Sequence, residues 1–143
     1  MKILDTNSKF SDTGLLVIRV GIGFFFAFVF GWPKISGGPE FWDMLGKAMN
    51  NLGIDFLPVF WGFMGAAAEF LGGILLILGL AFRPALVFMG VTMIVAFSQG
   101  LAGGQPFSQS THPLELFLVF VGLFLTGPGK YSLDAVITNK SKI

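Results

Sequence analysis

The sequence predicts an all-α integral membrane protein, a four-helix bundle with a short amphipathic interfacial helix between the first and second spans. Three observations carry that reading. Of 143 residues, 54% are hydrophobic and only 12% charged, about half the ~25% charge of a typical soluble domain. The mean hydropathy is +0.79. The apolar residues fall in four continuous runs rather than alternating along the chain, which excludes half-buried strands and is too few for a closed barrel.

Taken in order, residues 1–13 are hydrophilic and hold Lys2, Asp5, Lys9 and Asp12. That is a poor n-region for a signal peptide, so the run that follows reads as a retained helix. This first run, residues 14–32, has Arg19 as its only charge, and a helix needs about 20 apolar residues to cross the hydrocarbon core. Within the long loop 33–56, Phe41, Leu45, Ala48, Met49 and Leu52 recur at helical spacing opposite Asp43, Lys47 and Asn50. Such a pattern predicts a short helix lying on the membrane surface, with Trp42 at headgroup level. The second run, 57–80, has Glu69 as its only charge. A tight turn at 81–83 leads to Pro84, which suits the first turn of the next helix. The third run, 84–101, is uncharged, and the loop 102–109 is polar and Gly-rich. The fourth run, 110–126, is marginal in length and carries His112 and Glu115. His112-Pro113 reads as a helix start, with proline at the first position. Gly127-Pro128-Gly129 ends that helix, and the tail from Lys130 is soluble in character. The chain reads as one transmembrane domain over 1–143.

Lysine and arginine outside the spans set the orientation. Lys2, Lys9, Arg83, Lys130, Lys140 and Lys142 fall on one side, and Lys34 and Lys47 on the other, so both termini are expected in the cytoplasm. The formal net charge of +1 offers no basic footprint for nucleic acid. The absence of cysteine removes thiol redox relays, iron–sulfur clusters and thiolate zinc sites from the chain itself. A single histidine cannot supply bis-histidine haem ligation, and a di-iron bundle wants about four carboxylates and two histidines. Neither metal nor haem is expected.

Each run carries one small or polar face. Gly62, Gly65, Ala66, Glu69, Gly72 and Gly73 lie on one side of the second helix, the kind of surface on which membrane helices approach closely. Arg19 shares a face with Gly23, Ala27 and Lys34; Thr92, Ala96 and Gln99 align on the third helix, and Glu115, Gly122 and Thr126 on the fourth. Convergence of these stripes predicts a polar interior. Depth counting puts Arg19 roughly 6 Å from the level of Glu69, so an Arg19–Glu69 ion pair is expected to offset the cost of placing either charge in the bilayer. Lys34, Gln99, His112 and Glu115 fall in the outer half as a polar vestibule above that pair. No nucleophile–base order or paired-carboxylate spacing gives a catalytic signature.

The residues also resemble the DoxX family of small four-helix membrane proteins. The resemblance rests on Arg19 with Gly23, Gly31-Trp32-Pro33-Lys34, Glu69-Phe70-Leu71-Gly72-Gly73 with Leu76, Gly79-Leu80 and Arg83, and Gly127-Pro128-Gly129-Lys130-Tyr131-Ser132-Leu133-Asp134. It implies a bacterial inner-membrane protein linked to redox systems, among them thiosulfate-to-quinone oxidation and membrane oxidoreductase assemblies that resist oxidative stress. More distant relatives resemble assembly chaperones, and the thiol chemistry of cysteine-bearing members does not carry over.

Two classes of function follow. One is a membrane subunit of an oxidoreductase system with a quinone or similar amphipathic molecule in the vestibule: Arg19, Lys34, Glu69, Gln99, His112 and Glu115 form the candidate ligand-binding set, the Phe-rich walls take the tail, and a partner subunit holds the electron donor. The other is a non-enzymatic scaffold or assembly factor whose polar core is purely structural. Transport of a small solute or lipid is a third reading, weakened by the lack of an inverted repeat. The lipid bilayer is the expected environment, and a homo-oligomer is compatible with the sequence.

Overall fold

A computed structural model describes residues 10–141. Helix α1 (Ser11–Ile35) is followed by α2 (Pro39–Gly46), which tightens into a 3-10 turn over Lys47–Leu52. Then come α3 (Pro58–Leu78), α4 (Phe82–Ala102), α5 (Phe107–Thr126) and α6 (Leu133–Lys140). Among the described residues there is no strand. Helices α1, α3 and α4 are each long and apolar enough to cross a membrane. Helix α5 lies along α4: a Cβ built on Gly100 would sit 3.0 Å from Ser110 Oγ, and one on Gly90 would sit 3.4 Å from the Phe117 ring. The four long helices make the bundle.

Helix α5 starts at Phe107, with Pro106 at its N-cap, and Pro113 lies inside it. The fourth span therefore starts three residues before the expected 110, and Pro113 is not its first position. A proline within the first two turns of a helix removes a single backbone bond, and near the polar end of α5 that loss is tolerated.

Two features set the register of α1 on α3. The helices meet at glycine: a Cβ on Gly73 would lie 2.5 Å from Ala27 N and 2.6 Å from Gly23 O. Farther along, a Cβ on Gly31 would lie 2.6 Å from the backbone of Phe70. Between these contacts α1 widens into a π-helical stretch, Phe25–Gly31. A π turn takes more than four residues, so positions 23, 27 and 31 all stay on the inward face and are all buried. An uninterrupted α-helix would let that face drift, because four residues overshoot a 3.6-residue turn.

The apolar core lies at the end of the bundle near the described termini. Phe82, Leu86 and Met89 of α4 pack there with Phe26, Leu76, Phe120 and Leu123, and the Phe26 and Phe120 rings meet edge-on at 5.3 Å. The glycine-rich exit of α5 clasps this end. Asp134 accepts hydrogen bonds from Ala81 N and Phe82 N, both at 2.9 Å, placing a carboxylate at the positive end of α4. Its own N–H donates to Gly79 O. Ser132 caps α6 by accepting from Ala135 N.

A polar cavity as the candidate functional site

The far half of the bundle is hollow. A cavity of about 620 Å³ opens between the end of α1, the α2 segment, the first half of α3 and the second half of α4. Its polar groups include Lys34, Glu69, Thr92, Gln99 and Gln105, and its apolar walls include Met49, Trp61, Met64, Phe88, Val91 and Val95. A pocket of this volume takes a drug-sized or cofactor-sized molecule.

The local sequence explains how each wall is placed. Gly62, Ala66 and Glu69 are buried on α3, as the small-residue spacing requires. Backbone contact seats α2 on α3: a Cβ on Gly46 would run into Pro58 O, and one on Gly62 into Trp42 O. The predicted amphipathic helix therefore exists, but it folds onto the start of α3 and walls the cavity. Trp42 reinforces the seat, its indole Nε1 donating to Lys34 O at 2.9 Å while its ring meets Phe63 edge-on at 5.0 Å. Asn51 Nδ2 donates to Gln99 Oε1 at 2.6 Å, a tie across the cavity mouth between the 3-10 turn and α4.

The charges pair differently from the sequence expectation. Lys34 Nζ lies 2.6 Å from Glu69 Oε2, so the buried carboxylate is neutralised by the lysine that ends α1. Arg19 is not its partner. Arg19 is 1% exposed and donates from Nη1 to Pro128 O at 2.9 Å and from Nη2 to Tyr131 O at 2.6 Å. The reason is helix register. Arg19 precedes Gly23 by four residues and Glu69 precedes Gly73 by four, and these glycines meet on antiparallel helices. The two charges therefore diverge from the crossing in opposite directions, ending about 12 Å apart along the axis. Arg19 serves the clasp at one end; Glu69 serves the cavity at the other.

Of the candidate residues, Lys34, Glu69 and Gln99 line the cavity. Thr92 and Ala96 line it as their spacing with Gln99 implies. Arg19, His112 and Glu115 are elsewhere. Both His112 and Glu115 are exposed on α5, because that helix buries Ser110, Phe120 and Leu123 and turns its polar stripe outward. Large apolar side chains fill the core better than the polar stripe would, so only three of the four expected stripes converge.

Sequence reasoning missed Trp61 as a cavity residue. It lies eight positions before Glu69 with Gly65 halfway between, a spacing that shares the inward face. Its indole Nε1 is buried and meets no hydrogen-bond acceptor, a donor left unsatisfied. Among the described residues no cluster of three or more His, Cys, Asp or Glu could hold a metal ion.

The DoxX family model matches residues 14–102. The chain is 30% identical to the inner membrane protein YqjF of Escherichia coli (strain K12) over 137 residues, covering 92% of this chain and 98% of that protein. It is 29% identical over 135 residues to a Bacillus subtilis (strain 168) protein named "Putative oxidoreductase CatD", covering 94% of this chain and 95% of that one. No solved structure matches the chain.

Proposed function

The chain belongs to the DoxX family, and from that premise we propose that it is a bacterial inner-membrane component of a redox system whose cavity takes a quinone or a similar amphipathic carbonyl compound. The observation that carries the reading is the cavity itself, with hydrogen-bonding groups gathered at Lys34, Glu69 and Gln99 and long apolar walls. A quinone headgroup needs donors for its carbonyl oxygens, and its tail needs an apolar channel. Lys34 is such a donor, and Phe88, Val91 and Val95 suit the tail; Trp61 also lines the cavity. The ion pair leaves the polar end with no net charge, which favours a neutral guest. The resemblance to an inner membrane protein and to a protein named for oxidoreductase activity supports the setting. Electrons enter from a partner subunit in this reading, because a chain without cysteine has no thiol couple of its own.

The test uses the three tryptophans of the chain. A short-tailed, water-soluble quinone added to detergent-solubilised protein is expected to quench tryptophan fluorescence saturably. Trp61→Phe should remove the saturable part, and Gln99→Leu should weaken apparent affinity several-fold, with the helical circular dichroism unchanged. Protein as purified should carry an amphipathic molecule visible by absorbance and by mass spectrometry of a solvent extract. Purely collisional quenching together with an empty extract would favour the scaffold reading.

The same reading places both termini in the cytoplasm and the cavity mouth on the outer side. Lys130 N donates to Asp12 Oδ1 at 3.0 Å, so the described ends of the chain share one face of the bundle. Arg83 joins them there, donating from Nε to Phe124 O at 3.1 Å, while Lys34 and Lys47 lie at the other end. A reporter fused after Ile143 should read as cytoplasmic and one inserted at Gly104 as external; the reverse would turn the cavity mouth inward.

A further inference from the structure

The outward face of α5 carries two ionisable groups, His112 and Glu115. Ser108, His112, Glu115, Val119, Gly122 and Thr126 are all exposed, and their spacing alternates four and three residues along the helix. Over the five turns from Ser108 to Thr126 that spacing matches the 3.6-residue turn, so the six positions share one straight helix face. Beside it, on the side away from the core, lie Leu118, 62% exposed, and Leu125, 73% exposed, which suit lipid. Glu115 falls between the two contacts that align α5 with α4, Ser110 at Gly100 and Phe117 at Gly90. It therefore sits at the depth of the middle of α4, a membrane-crossing helix. A carboxylate facing acyl chains at that depth is costly and calls for a partner, and neither His112 nor Glu115 is paired among the described residues.

We propose that the α5 stripe is the seam of a homodimer, in which a second copy of this chain packs its own α5 against it. A two-fold axis along the membrane normal makes the contact isologous and runs the two α5 helices parallel. In this parallel pair each residue meets its own counterpart in depth, and His112 lies one turn, about 4.5 Å along the axis, from Glu115, so each His112 reaches diagonally across the seam to the partner's Glu115. Two symmetric His–Glu contacts then satisfy all four groups. Charge complementarity of this kind is what a second copy supplies and lipid cannot. Below them Gly122 lets the helices close, since small residues at an interface permit near backbone approach. The ligand cavity, on the α3–α4 side, stays open in the dimer.

The absence of cysteine makes the test clean. Single cysteines are placed at Val119 and Gly122 on the seam and at Leu118 and Leu125 beside it, all exposed positions whose replacement leaves the core intact. Membranes containing each variant are oxidised with copper phenanthroline, and the product of twice the chain mass is measured on a denaturing gel. The seam positions should cross-link several-fold more than the flanking pair, and adding Glu115→Leu or His112→Leu should lower the yield at Val119 several-fold. Equal yields at all four positions, products of another mass, or yields indifferent to Glu115→Leu and His112→Leu would each overturn the proposal.

Discussion

Replacing Lys34 with methionine is expected to destabilise the bundle by about 3–5 kcal/mol, the usual cost of leaving one member of a buried ion pair uncompensated. The survivor would be Glu69, whose side chain is 6% exposed against 30% for Lys34. Glu69→Leu should cost less, because the lysine stem can carry its ammonium toward the cavity mouth. The double variant should lose less than the sum of the singles, since both charges leave together. Arg19 provides the contrast. Arg19→Leu strands the carbonyls of Pro128 and Tyr131 at the opposite end of the bundle, so its loss should add to that of Glu69→Leu, as independent distant sites do. Thermal unfolding in detergent for the three single and two double variants reads both cycles. Additivity for Lys34 with Glu69, or strong coupling for Arg19 with Glu69, would show that the helices sit in a different register.

Gly62→Ala should destabilise the protein by at least about 1–3 kcal/mol, the range for forcing extra atoms into a packed contact. Alanine in mid-helix normally stabilises relative to glycine by about 0.5–1 kcal/mol, so the sign of the change is diagnostic. At Gly62 the added Cβ would collide with the Trp42 carbonyl, a backbone group that cannot rotate away, so α2 must lift off α3. The cavity then loses the wall that carries Leu45 and Met49, and quinone quenching should fall along with the melting temperature. Gly65→Ala is the matched control. It also borders the cavity, but its Cβ would meet nothing within 4 Å, so it should be neutral or stabilising with quenching retained. Equal behaviour of the two variants would mean that α2 is not seated through Gly62.

The resemblance quoted from the sequence includes the stretch from Gly127 to Asp134, and the structure gives that stretch a physical meaning. Arg19 was legible as a buried charge but not as the anchor of this tail, because its acceptors are backbone carbonyls more than a hundred residues away. Backbone acceptors leave no mark in a sequence. Asp134 was quoted only within a pattern, and its role at the start of α4 depends on a contact between distant segments. Trp61 was absorbed into an apolar run, since a tryptophan there is equally suited to lipid, core or cavity.

What the sequence determined by itself is what a one-dimensional pattern and the bilayer can dictate. Continuous apolar runs force helices, because only internal hydrogen bonding satisfies the backbone in hydrocarbon. The glycine and alanine spacing of α3 forces a close helix contact on the face that carries Glu69. Lys34, Glu69 and Gln99 followed from those faces and line one cavity. The tertiary structure alone decided which charges meet, through the Gly23–Gly73 crossing that carries Arg19 and Glu69 apart and the π stretch that keeps α1 facing inward down to Lys34. It also decided that α5 turns its polar stripe outward. Both outcomes depend on how one helix slides and rotates against another, and periodicity within a single helix gives its faces but not the depth or the neighbour against which each face is set.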